Sequence, residues 1–94
     1  QANPHKEIPS LMHMGKCFAK RGMNDMAAGT LQKALDKKEI MDDEKMDLHY
    51  QLGCVLDLMA RAEESIEQFK LIYERDIGYR DVADRVDAYY ASLG

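Results

Sequence analysis

A pattern that occurs twice constrains this chain more than any single residue does. Within residues 46–77, Leu48, Leu52, Val55, Leu56 and Met59 recur at steps of three and four. Ala62, Ser65, Ile66, Phe69, Ile72 and Tyr73 do the same further on. That spacing places each set on one stripe of an α-helix. The stripes meet across a break at Ala60 and Arg61. Gly53 on the first helix and Ser65 on the second are the small residues that a close antiparallel crossing requires. Shifted upstream by 38 residues, Gly53, Leu56, Ser65, Phe69 and Ile72 become Gly15, Phe18, Ala27, Leu31 and Ala34, and Leu52 becomes Met14. A hairpin of this kind cannot bury its apolar face alone, so its recurrence predicts stacked helix-turn-helix units. The fold class expected is all-α, with antiparallel helical repeats and five helices in total.

At these residues the chain resembles the tetratricopeptide repeat family. That family has a Leu-Gly pair and an aromatic three residues beyond on its first helix, then Ala, a large residue four on, and Ala three further on its second. The first unit offers Met14-Gly15, Phe18, Ala27, Leu31 and Ala34; the second offers Leu52-Gly53, Leu56, Ser65, Phe69 and Ile72. Ser65 and Ile72 depart from the small residues of that signature, neither unit has the usual closing Pro, and an insertion lies near residues 39–44. The resemblance covers residues 8–77. It implies an α-solenoid fragment whose first helices line a concave, partner-binding face.

Taken in order, residues 1–7 read as a tail or the end of a preceding repeat, with Asn3-Pro4 as a turn signal. Residues 8–45 form the first repeat with an extended linker, 46–78 the second, and 79–94 a capping helix. Helix one is expected over 8–21, with Pro9 in its first turn, Leu11, Met14 and Phe18 inward, and Gly22 ending it. Asn24 or Asp25 should cap helix two, and Asp42 or Asp43 helix three. Glu63 and Glu64 suit the first turn of helix four, and Gly78 a left-handed stop after it. The last helix carries Val82, Val86, Tyr89 and Leu93 inward. Where Gly15 and Gly53 stood it has Asp87, which cannot accept a closely packed neighbour, so the array should end there with a polar face.

At 94 residues the chain is one domain, and its 46% hydrophobic content is ordinary for a soluble globular protein. Net charge is −4 with both signs intermixed, which argues against a nucleic-acid footprint. No apolar run suits membrane insertion and no leader pattern is present, so a cytoplasmic location is expected, with a periplasmic or membrane-associated parent protein left open. Two cysteines, Cys17 and Cys54, make no disulfide framework. No phosphate-binding glycine loop, zinc pattern or nucleophile motif occurs, so no enzymatic activity and no cofactor are expected. His13 and Cys17 lie four apart, but they supply two ligands where structural zinc wants four, and no metal is expected.

The face turned away from the core is more informative. On helix one it carries Met12, His13, Lys16 and Lys20; on helix three, Asp47, Tyr50, Gln51, Cys54, Asp57 and Leu58. Met12, Tyr50 and Leu58 are apolar on a face that should be wet, and Met and Tyr are adaptable contact residues. The alternative is that they seal contacts between adjacent helices. In one subset of the resembled family this groove grips a C-terminal carboxylate with Lys and Asn. Here the places hold Met12, Lys16 and Gln51, a poor match. The reading is a non-catalytic module that binds a protein or peptide, part of a larger scaffold. The other reading is a self-assembly element stacking on missing repeats or on a second copy as a homodimer.

Overall fold

The computed structural model describes residues 4–94, with side chains from Lys6 onward. Five helices follow in order: α1 (Pro4–Lys20), α2 (Asn24–Lys37), α3 (Asp43–Leu58), α4 (Ala62–Arg75) and α5 (Val82–Ser92). Each packs on the next, and no strand occurs among the described residues. The chain is therefore an all-α helical repeat fragment, elongated to 50 × 28 × 17 Å.

The repeat register has a direct physical basis. A Cβ on Gly15 would lie 2.7 Å from Leu31 Cγ, and one on Gly53 would lie 2.7 Å from Phe69 Cζ. Each glycine thus lets the large residue sixteen positions on press against the helix backbone. Ala27 and Leu31 are fully buried, and Ser65 and Phe69 nearly so. Ser65 is accommodated where the first unit has Ala27 because its hydroxyl donates to the Gly53 carbonyl at 2.7 Å. A buried hydroxyl costs little once it has such a partner.

The helix α3 is shared by two apolar clusters. Leu48, Leu52, Val55 and Leu56 join Ile8, Leu31, Ala34 and Leu35 on one side. Met46 joins Phe69, Ile72, Val82 and Val86 on the other. The valines of α5 stand 34 residues beyond Leu48 and Leu52. Ile72, larger than its counterpart Ala34, therefore meets valines where Ala34 meets leucines. A larger residue on one helix is thus set against smaller ones on the next, as close packing favours.

Several boundaries differ from the sequence expectations. The helix α1 begins at Pro4, so residues 4–7 are helical and Pro9 lies inside the helix. Asn3 and the rest of the expected tail lie outside the described residues. Met14 is 45% exposed, not inward, because no helix among the described residues covers the side of α1 that corresponds to Leu52 in α3. Gly22 ends α1 with φ +76°, and the α3–α4 break is made by Ala60 at φ +60°. Asp42 caps α3, accepting from the Lys45 backbone N–H at 3.0 Å. Asn24 and Asp25 do not cap α2, whose N-cap position is Met23. Gly78 is not a left-handed stop. Asp76 ends α4 in extended conformation and its side chain accepts from the Gly78 N–H, so 76–81 form a turn and α5 starts at Val82, three residues later than expected. Leu93 is 64% exposed.

Candidate functional site

The helices α1, α3 and α5 share one face of the solenoid, and a continuous polar and aromatic network runs across it. Lys16 on α1 lies 3.6 Å from Asp47 on α3, and Asp47 lies 3.2 Å from Arg80 in the turn before α5. Gln51 donates to the same Asp47 carboxylate from one helical turn away. The Arg80 guanidinium stacks 4.7 Å from the Tyr50 ring and 5.4 Å from the Tyr79 ring. Arg80 holds this position with φ +44°, a left-handed conformation that a branched-free but bulky residue adopts at a cost.

Tyr50 is the hub. Its ring meets Phe69 edge-on at 5.6 Å and Tyr79 at 6.1 Å. Its hydroxyl donates to Asp81 at 2.6 Å. Burial and that bond to a carboxylate push the Tyr50 hydroxyl pKa up, while the same bond, with Arg85 assisting, draws Asp81 below the ordinary carboxylate range. Arg85 Nε reaches both Asp81 oxygens at 3.1 Å, and its guanidinium lies 5.0 Å from the Phe69 ring. Tyr50 therefore does not stand free in a groove. It ties α3 to the turn that leads into α5.

The other residues expected on this face divide by surroundings. Met12 is half-buried and packs on the first apolar cluster. Cys54 is half-buried beside the second, where burial pushes its thiol pKa up. His13 and Lys20 are exposed, and His13 Nε2 lies 3.6 Å from Cys17 Sγ. Both cysteines are free thiols. Leu58 is 69% exposed, and Asp57 beside it is exposed with no ion-pair partner among the described residues.

Asp57 opens onto a feature the sequence did not reveal. A cleft of about 340 Å³ lies between α3 and α5 with α4 as its floor. Ala62, Ile66, Phe69 and Ala88 give it an apolar lining, and Asp57 and Arg85 supply opposite charges at its walls. Ala88 stands where α3 has Cys54 in the repeat register, so the smaller side chain leaves room. Arg80 and Asp81 escaped the sequence reading because periodicity cannot place a turn such as 76–81, and Arg85 because its partner Asp81 lies in that turn. The Asp76-x-Gly78 spacing was the one available signal.

No helix among the described residues is long and apolar enough to cross a membrane. No cluster of three or more metal-binding side chains occurs among them. Comparison with family models, with curated proteins and with solved structures gave no match to this chain. What fold and face define is an all-α helical repeat fragment with a charged, aromatic-lined surface on its first helices.

Proposed function

We propose that this chain is a non-catalytic binding module of the tetratricopeptide type, part of a larger scaffold, which docks a protein or peptide segment on the face of α1, α3 and α5. The observation that supports this best is the cleft between α3 and α5. Its apolar floor suits one aliphatic or aromatic anchor, and burial of such an anchor is where binding energy concentrates. Asp57 suits a cationic group next to that anchor, and Arg85 suits an anionic one. Mixed charge around an apolar centre fits a peptide better than a polyanion, and nothing in this reading needs a cofactor. The compartment is taken to be the cytoplasm.

The test is a displayed peptide library selected against the chain, followed by affinity measurement on two variants. Ala88→Trp fills the cleft from an exposed position on α5 and should weaken selected peptides at least tenfold, about 1.4 kcal/mol. Glu63→Ala, exposed in the first turn of α4 outside the cleft lining, should leave them unchanged. Selected peptides that bind the Ala88→Trp chain as tightly as the original would exclude the cleft.

A further inference from the structure

One stripe of α1 is exposed along its length: Lys6, Ser10, His13, Met14 and Cys17. In the repeat register it corresponds to the side of α3 where Leu48, Leu52 and Val55 are at most 4% exposed. The composition differs with the burial. Only Met14 is a large apolar residue, so the stripe is not built to be covered by a neighbouring hairpin as α3 is. It does carry two metal-binding side chains one helical turn apart, already converged.

Their spacing is informative. A tetrahedral ion with sulfur at about 2.3 Å and nitrogen at about 2.0–2.1 Å holds those two atoms about 3.6 Å apart. His13 Nε2 and Cys17 Sγ are separated by 3.6 Å. The two atoms are therefore already at chelating separation, and a turn of the imidazole aims its lone pair at a shared ion. Its position in mid-helix, on a stripe with no bulky cover, leaves the remaining half of the coordination sphere open to solvent. No third ligand is clustered with them among the described residues.

We propose that His13 and Cys17 form half of a zinc site that a second copy of this chain completes. Two α1 helices cross about a two-fold axis through the metal, and each contributes one imidazole and one thiolate, giving a closed His2Cys2 tetrahedron. A two-fold contact is self-complementary, so the same His13–Cys17 pair from each copy meets on the axis. Each thiol loses its proton to solvent on binding, so two protons are released per zinc and no redox change occurs. The proposal is independent of the cleft between α3 and α5, and either can fail alone.

The test uses the whole chain under a reductant that does not bind metal. Zinc is titrated while mass is followed by light scattering, and cobalt replaces zinc for spectroscopy. The expected result is a dimer that saturates at one zinc per two chains and reverts with a chelator. Cobalt should give the intense ligand-field bands of a tetrahedral site with a thiolate charge-transfer band. Cys17→Ser or His13→Ala should abolish the dimer without loss of helicity, as both side chains are exposed, and Cys54→Ser should not. The cobalt spectrum is read on the unaltered chain, so it does not depend on how a variant folds. A monomer at every zinc concentration, binding of one zinc per chain, or a dimer that survives Cys17→Ser would each overturn the proposal.

Discussion

Adding one methyl group at Gly53 should destabilise the whole fold, although it improves the helix. A Cβ there would lie 2.7, 2.9 and 3.0 Å from Cζ, Cε1 and Cε2 of Phe69. Carbon atoms in contact prefer about 3.5–4.0 Å, so the ring would have to retreat by roughly 1 Å. Phe69 is 2% exposed, with the Tyr50 ring 5.6 Å away and the Arg85 guanidinium 5.0 Å away. Retreat on either of those two sides meets a packed neighbour. Overpacking of this kind costs about 1–3 kcal/mol, and replacing a mid-helix glycine recovers about 0.5–1 kcal/mol. The net expectation for Gly53→Ala is a loss of about 1–2 kcal/mol. For a domain of this size that lowers Tm by roughly 5–15 °C in a circular-dichroism melt. Phe69→Ala alone should cost about 3–5 kcal/mol by leaving a cavity. Combined, the two should cost less than their sum, because the added methyl no longer meets a ring. A Gly53→Ala chain at least as stable as the original, or strict additivity in the double variant, would refute the close crossing.

Gly29 provides the opposite case: it lies in α2 with nothing within 4 Å of an added Cβ, so Gly29→Ala should stabilise by about 0.5–1 kcal/mol in the same melt. His49 is buried, its Nδ1 paired with Gln68 Oε1 at 2.8 Å, and burial, aided by the charge of Lys45, holds its pKa below the ordinary value, with the Gln68 bond acting in the opposite direction. The unfolded chain therefore takes up a proton on this residue more readily than the folded one, and stability present above about pH 6.5 should fall as pH drops below it; His49→Gln should flatten that part of the urea-denaturation profile. Tyr50→Phe removes the hydroxyl that holds Asp81 but keeps the ring, so it should cost about 1 kcal/mol. Hydrogen exchange should show that loss as faster amides in α5 with α1 and α2 unchanged.

The layered repeat was legible because its determinants are local and periodic. Gly15 with Leu31 and Gly53 with Phe69 are glycine–large pairs at fixed spacing, and burial of the stripe follows from that register. Asp42 was legible as a cap because its side chain needs only the backbone three residues on. Met14 was misplaced because its periodicity says it lies on a stripe, not whether another helix covers that stripe. The start of α5 was missed because Asp76 and Gly78 close a turn by a side-chain bond that carries no period. Tyr50 shows the same limit on the face of α1, α3 and α5. Its periodicity gives its angle on α3, but its partners Tyr79, Arg80 and Asp81 arrive from a turn some thirty residues on. The cleft depends on the small Ala88 lying opposite Asp57, a long-range pairing that only the folded chain brings about.

The proposed docking face is tested most directly by backbone amide shift mapping with a library-selected peptide on the isotopically labelled chain. Saturable shifts should concentrate at Asp57, Ala62, Ser65, Ile66, Arg85 and Ala88, which line the cleft between α3 and α5. Gly29, Gln32 and Glu64, which line the separate depression between α2 and α4, should stay still. Shifts confined to that second surface, or to the exposed stripe of α1 about Cys17, would contradict the assignment of the docking face to α1, α3 and α5.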